Sequence, residues 1–342
     1  MSLMISISGI RGVFGPDLNP ENISRFTAAY ASKLKGNRVV LGRDSRVTGE
    51  ICERIISATL ESCGCEVITL GIVPTPTVAM AVTKHEANGG IIISASHNPA
   101  EWNALKLLND RGEFLNAEEG QGVIDAAENQ EYSYETYDKI GHSKTDHRAV
   151  EDHINEILDL PYIDAELIRN ANLKVAVDAV NGAGSESMPL LLRKLNVSEV
   201  HCLYCKPDGL FPHNPEPLEE HLQDICAFVP EKSADIGFVT DPDADRLAVV
   251  DENGKLWGEE YTQAAAMDFM LGHKNGPTAT NLSSSRVASD VAARHGQTCH
   301  RSAVGEINVV TTMKEENAVI GGEGNGGVIN PDLHYGRDAL VG

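Results

Sequence analysis

Three stretches of this chain repeat the same switch between apolar and polar positions. In RVVLGRDSRVTGEICERIISATLESCG, KVAVDAVNGAGSESMPLLLRKL and PTATNLSSSRVASDVAARHG, an apolar run gives way to Gly, Ser, Asn or Asp and then to apolar residues at helical spacing. A period that changes in this way predicts a strand, a small polar turn and a helix in each stretch. Identity among the three is low, so the likeness is architectural, as expected of duplicated α/β units.

Two further apolar runs break off more abruptly. In residues 91–106, IIISASHNPAEWNALK, a buried strand is expected to deliver Ser96 into an open turn, with His97 beside it and Lys106 further on. A hydroxyl so placed can serve as a nucleophile, although Ser, Asn and Pro are also ordinary turn residues. In residues 235–250, DIGFVTDPDADRLAVV, Asp241, Asp243 and Asp245 alternate between two strand-like runs and are followed by Arg246. Carboxylates packed this closely repel one another unless a cation holds them, and an all-oxygen ligand set favours a hard divalent ion, Mg2+ by default. The same aspartates with Glu252 fit positions of an EF-hand loop, but Arg246 stands where that loop requires Gly, and the flanks read as strands rather than helices. A solvated acidic turn without metal is the remaining alternative.

Composition narrows the class. At 342 residues the chain exceeds one ordinary core and implies two or three domains, and 42% hydrophobic residues are enough to fill them. A net charge of −22, from 50 acids against 28 bases, argues against nucleic acid or an anionic membrane as partner. An anionic substrate stays compatible, because Arg, Lys and metal gathered in a cleft can invert the field locally. Seven cysteines without a repeating spacing, and no secretory or membrane-spanning apolar segment, fit a reducing cytoplasm. His201, Cys202, Cys205 and His213 surround one C-x-x-C, but the second half of a zinc-ribbon pair is missing, so buried or free thiols are expected and no role is assigned.

Residues 128–150, polar, tyrosine-rich and weakly periodic, read as a hairpin or linker closing a first domain, with a helix at 149–160 opening a second and the turn Glu252-Asn253-Gly254 ending it. The expected domains are 1–148, 149–255 and 256–342. Two glycine-rich pieces differ in content. Asn181-Gly182-Ala183-Gly184-Ser185 sits where backbone amides can cradle a phosphate, but it lacks the full dinucleotide fingerprint and the Walker lysine, so a tight structural turn is favoured. GGEGNGGVI, residues 321–329, embeds Glu323 among glycines that let a ligand approach the backbone, and a carboxylate can accept two sugar hydroxyls at once.

Together these segments resemble the α-D-phosphohexomutase family, which includes phosphoglucomutase, phosphomannomutase and phosphoglucosamine mutase. Gly9-Ile10-Arg11-Gly12 is similar to its amino-terminal arginine loop, Ser94 to Pro99 to its phosphoserine loop, Asp241 to Arg246 to its metal loop, and Gly322 to Gly327 to its sugar-recognition loop. The four motifs follow the family's order along the whole chain. The resemblance implies three tandem similar α/β domains with mixed sheets around a central cleft, bearing the phosphoserine, metal-binding and sugar-recognition loops in turn. It also implies a phosphotransferase that interconverts hexose 6-phosphate and hexose 1-phosphate of glucosamine, mannose or glucose. The route would run through a phosphoserine enzyme and a hexose 1,6-bisphosphate, which is both intermediate and activator.

On the same resemblance, Ser96 rather than Ser94 carries the phosphate, and Mg2+ is held by one oxygen of that phosphate with Asp241, Asp243 and Asp245. Arg11 and Arg246 neutralise the remaining phosphoryl charge. Lys106 and His97 are the candidates for proton transfer, Lys106 as a base only if neighbouring positive charge lowers its pKa. Glu323 and Asn325 address the sugar. Asn325 stands where relatives commonly carry Ser, and keeps a donor and an acceptor for hydroxyls. Glu306 follows Val304-Gly305, where many relatives place a Lys or His, so the expected positive contact would come from elsewhere, Arg286 being the candidate. The family ordinarily has a fourth domain that grips the phosphate not being transferred, whereas this sequence stops at Gly342 in GRDALVG, which reads as a first helical turn. Without that grip, little turnover is expected from these residues alone. A Mg-dependent sugar phosphatase, or a phosphoserine-bearing regulatory or binding module, is the alternative reading.

Overall fold

A computed structural model describes residues 3–6 and 9–342. The chain folds into two compact units, one running to residue 150 with a short return at 208–210, the other comprising residues 151–207 and 211–342.

The first unit is built on strands β1 (Met4–Ser6), β2 (Gly9–Val13), β3 (Arg38–Arg43), β4 (Glu66–Ile72), β5 (Gly89–Ile93), β6 (Trp102–Leu108) and β7 (His142–Thr145), with helices α1 (Pro20–Lys33), α2 (Gly49–Ser62), α3 (Thr75–Lys84) and α4 (Ala117–Asn129). They form one mixed sheet in the order β1-β2-β6-β5-β3-β4-β7. Its central strands are covered on both faces, which is why they read as unbroken apolar runs rather than alternating ones. Val39, Leu41, Ile91 and Ile93 face a core shared with Phe26 and Tyr30 of α1 and Ile56 and Leu60 of α2, whereas Val40 and Ile92 point the other way, onto Val78 and Val82 of α3. Local chemistry sets the helix ends. Asn19 caps α1, with Pro20 in its first turn, and Asn116 with Glu119 forms a capping box on α4. Residues 128–150 are not merely a linker. Within them β7 adds in parallel to β4, and Glu66 ties the sheet together by pairing with Arg38 of β3 and Lys144 of β7.

Helix α5 (Ala149–Leu158) leads into the second unit, which contains two four-stranded sheets. The first holds β8 (Lys174–Asp178), β9 (Glu199–Leu203), β10 (Ile236–Thr240) and β11 (Leu247–Asp251), with α6 (Ala165–Ala171), α7 (Gly184–Lys194) and α8 (Gln223–Glu231). The next holds β12 (Thr278–Asn281), β13 (Cys299–Ser302), β14 (Ile320–Glu323) and β15 (Gly327–Ile329), with α9 (Glu259–His273), α10 (Val287–Arg294) and α11 (Glu306–Glu316). Among the described residues, no helix is long and apolar enough to cross a membrane.

One topology recurs in all three sheets. The orders β9-β8-β10-β11 and β13-β12-β14-β15 place three parallel strands side by side and finish on an antiparallel fourth, and β4-β3-β5-β6 does the same inside the larger sheet. Each copy opens with one of the strand-turn-helix stretches that the sequence repeats.

Candidate active site

The three chemically distinctive loops occupy one equivalent place in the three copies. Ser94 to Glu101 joins β5 to β6, Asp241 to Arg246 joins β10 to β11, and Gly324 to Gly326 joins β14 to β15. Each therefore leaves the carboxyl end of a parallel strand, where open α/β sheets present ligand-binding groups. Each is also braced by the first turn of its own copy, between the leading strand and its helix.

In the first copy the brace is Arg46. Its guanidinium is buried with Asp44, 3.0 Å away, and donates to the carbonyls of Ser96 at 2.6 Å, Asn98 at 2.7 Å and Pro99 at 2.7 Å. Carbonyls fanned around one planar cation hold the loop in shape without a regular hydrogen-bond ladder. Ser96 itself adopts φ +50°, a left-handed conformation that costs a non-glycine residue about 1 kcal/mol or more. Its amide donates to Ser94 Oγ at 2.9 Å, so Ser94 shapes the turn, while Ser96 Oγ lies 3.3 Å from His97 Nδ1. Arg11 of β2 reaches the same loop by donating to Asn98 Oδ1 at 2.9 Å. Lys106 of β6 pairs in register with Ile92 of β5 and is 7% exposed, with its ammonium over the Phe114 ring, so it does not snorkel to solvent.

In the second copy Asp241, Asp243 and Asp245 are all fully buried, with carboxylate oxygens within 4.8 Å of one another. Asp241 Oδ1 accepts the amides of Asp245 and Arg246 at 3.2 and 3.3 Å, which curls the loop, and Ala244 takes φ +51° at its apex. The brace here is the glycine-rich turn: the Ala183 amide donates to the Pro242 carbonyl at 2.8 Å, and a Cβ on Gly182 would lie only 2.6 Å from that oxygen. Close backbone approach explains this glycine, in keeping with a structural turn. Three buried oxygen donors fit a hard divalent cation and leave no soft ligand to favour zinc or copper. The EF-hand alternative fails because β10 and β11, not helices, flank the loop.

The third copy places Glu323 at the end of β14, 4% exposed. Asn281 Nδ2 donates to its Oε1 at 2.7 Å, and Ser284 Oγ accepts the Gly324 amide at 2.9 Å, so the brace is again the first turn. Asn325 turns its Oδ1 to the Gly327 amide at 3.2 Å. Arg286 stands apart, its side chain 85% exposed and paired with Asp290 one helical turn on.

The cation that meets Glu323 is Arg337, which the sequence reading passed over. Its side chain is 11% exposed and lies 2.8 Å from Glu323, 2.6 Å from Asp245 and 2.9 Å from Glu306. One guanidinium thus links the sugar loop, the acidic loop and the start of α11. Burial works against its charge, but Asp245, Glu306, Glu323 and Asp241 outweigh that and hold it protonated well above the ordinary arginine range. The neighbouring Asp338 anchors the segment. His153 of α5 and His334 both direct Nε2 at its Oδ2, at 2.9 and 3.2 Å. Burial raises the Asp338 pKa, yet these two histidines prevail and keep it well below the usual carboxylate range. Glu306 therefore serves as a partner for Arg337. Arg337 directly precedes Asp338 in GRDALVG, whereas Arg46 follows Asp44 by two residues in GRDSR.

Three family models, described as phosphoglucomutase/phosphomannomutase α/β/α domains I, II and III, match residues 4–133, 151–254 and 257–342. The chain belongs to this family, the α-D-phosphohexomutases, whose members are enzymes of the isomerase class that act as hexose phosphate mutases. It is 36% identical to a phosphoglucomutase/phosphomannomutase of Thermococcus kodakarensis, over 100% of this chain and 75% of the relative. It is 34% identical to a probable phosphoglucosamine mutase of Methanopyrus kandleri, over 99% of this chain and 74% of the relative. The crystal structure of an assigned phosphomannomutase from Thermus thermophilus matches with a TM-score of 0.90 at 24% identity, covering 99% of this chain and 78% of that one, a likeness of fold.

Proposed function

We propose that this chain exchanges a phosphoryl group between O6 and O1 of a hexose through Ser96, by way of a 1,6-bisphosphate. The reading rests on one observation above the rest: a hydroxyl, a triple carboxylate and a sugar-type carboxylate loop occupy the same place in three copies of one motif. Phosphoryl transfer passes through a loose transition state with charge on the phosphoryl oxygens, so the protein's work is positioning and electrostatics. Ser96 would carry the phosphate and donate it to the free hydroxyl of a sugar monophosphate. The attacking hydroxyl loses a proton and the departing Ser96 oxygen gains one, which His97 would supply, a role supported by its Nδ1 lying 3.3 Å from that oxygen. Lys106 is the candidate for taking up the other proton. Arg11 and Arg246 would offset phosphoryl charge.

Asp241, Asp243 and Asp245 would hold Mg2+, which when bound supplies positive charge to the transferred group. Glu323 and Asn325 would receive sugar hydroxyls, with Arg337 fixing the Glu323 carboxylate. Arg286, whose side chain is exposed and 3.0 Å from Asp290, would supply the further positive contact to the substrate. Glucose, mannose and glucosamine phosphates share the hydroxyls such a carboxylate can bind, so all three are candidate substrates.

The experiment is incubation with each hexose 1-phosphate, a trace of the 1,6-bisphosphate and Mg2+. Isomer product that disappears in Ser96→Ala, together with one phosphoryl group on Ser96 by intact mass, is the expected result. Inorganic phosphate without isomer would replace this reading by a phosphatase, and neither product by a binding module.

A further inference from the structure

Two groups of metal-ligating side chains come together among the described residues, the triple aspartate of the acidic loop and a set made by His153, His334 and Asp338. The histidines around Cys202 and Cys205 have other partners, His213 Nε2 lying 3.1 Å from Asp178 Oδ2 and His201 Nε2 3.4 Å from Glu199 Oε2. His153 comes from α5, whereas His334 and Asp338 stand one helical turn apart in sequence, in the segment that follows β15. Their side chains meet out of solvent: those of His153 and Asp338 are fully buried, and that of His334 is 11% exposed. Both Nε2 atoms converge on Asp338 Oδ2, at 2.9 and 3.2 Å, and the three ligand atoms all lie within 4.8 Å of one another.

We propose that His153, His334 and Asp338 form a second metal site, for a borderline divalent cation such as Zn2+, that ties α5 to the segment bearing Arg337.

Geometry and ligand chemistry both support it. Zn–N and Zn–O bonds of about 2.0–2.2 Å in a tetrahedral set put neighbouring ligand atoms about 3.3–3.5 Å apart. The distances of 2.9 and 3.2 Å to Asp338 Oδ2 approach that spacing, so an ion needs a small outward adjustment of these side chains rather than a new course of the backbone. The carboxylate is oriented from behind, its Oδ1 accepting the Leu340 amide at 2.8 Å, as outer hydrogen bonds orient metal ligands. For an imidazole to offer its Nε2 lone pair, the ring proton must sit on Nδ1. His334 Nδ1 is buried without a hydrogen-bond partner among the described residues, so no bond is lost there when the proton moves. A water can complete the set at the partly exposed edge of His334. Two imidazoles and one carboxylate favour Zn2+ or its neighbours over Mg2+, the reverse of the all-oxygen loop at Asp241, Asp243 and Asp245. A filled site would fix the residue next to Arg337, and with it the guanidinium between Asp245 and Glu323.

The test is calorimetric titration of the 342-residue protein with Zn2+ as the probe, Mg2+ being in excess, followed by X-ray absorption at the zinc edge with one equivalent bound. The expected result is one Zn2+ per chain in a shell of nitrogen and oxygen, with imidazole scattering and no sulfur. His334→Gln, at the least buried of the three ligands, should weaken binding by about tenfold or more, and Asp243→Asn should leave it unchanged. The absorption spectrum reads the wild-type protein by itself, so it decides the proposal even where the variant does not fold. No Zn2+ uptake in excess Mg2+, sulfur in the shell, undiminished affinity in folded His334→Gln, or a site lost with Asp243→Asn would each overturn the proposal.

Discussion

Replacing Arg337 by Met removes the one guanidinium that three carboxylates share, while keeping much of its apolar stem. Asp245, Glu323 and Glu306, at 2.6, 2.8 and 2.9 Å from it, would be left facing one another in a largely buried space. Removing one partner of a buried ion pair costs about 3–5 kcal/mol, because the stranded charge cannot recover its hydration. For a unit of this size each kcal/mol moves the melting temperature by about 2–4 °C, so Arg337→Met should melt about 6–20 °C lower. Thermal unfolding followed by circular dichroism measures it. Glu306→Gln supplies the control: in wild type it removes a favourable partner, and in the Met variant it removes a repelling charge, so the double variant should regain part of the loss. Coupling between such neighbours is typically about 0.5–3 kcal/mol. If Arg337→Met melts within a degree or two of wild type, and Glu306→Gln has the same effect in both backgrounds, the linking role assigned to Arg337 is wrong.

The other loops make parallel predictions. Asp243→Asn should leave the metal-free protein as stable as wild type or more so, since it relieves repulsion among carboxylates within 4.8 Å, yet abolish most of the stabilisation that Mg2+ confers. Saturating Mg2+ should raise wild-type stability by about 2.7 kcal/mol at a hundred times its Kd, and an equal gain in the variant would exclude this loop as the metal site. Arg46→Met strands Asp44 and the carbonyls of the Ser96 loop, so urea unfolding of the first unit should weaken by about 3–5 kcal/mol; an unchanged midpoint would refute the bracing role. Hydrogen bonds from Lys144 and Arg38 lower the Glu66 carboxyl to about 2. A depressed folded pKa stabilises above the unfolded value of about 4.3, and that contribution fades as pH falls toward 2. Urea midpoints of wild type and Glu66→Gln should therefore differ near neutrality and converge in acid; a gap that is constant with pH would show that Glu66 acts by packing alone.

Apolar period and turn chemistry are local properties, and they made much of this protein legible in its sequence. The three strand-turn-helix stretches stand in the structure as β3 with α2, β8 with α7 and β12 with α10. The strands flanking the triple aspartate, and the strand that ends before Ser96, are likewise where the apolar runs end. Within 128–150, expected as a hairpin or linker, the strand β7 was not legible because it is short, exposed and polar, and becomes a strand only by pairing in parallel with the edge of β4. Position along the chain could not show that three unlike loops are one place in a repeated topology, since the copies share strand order rather than residues. Nor could it single out Arg46 or Arg337 from the chain's other bases. A guanidinium acquires its role from the carbonyls and carboxylates that converge on it, and those come from segments as far removed as Asp245 and Arg337, which only the folded chain brings to within 2.6 Å.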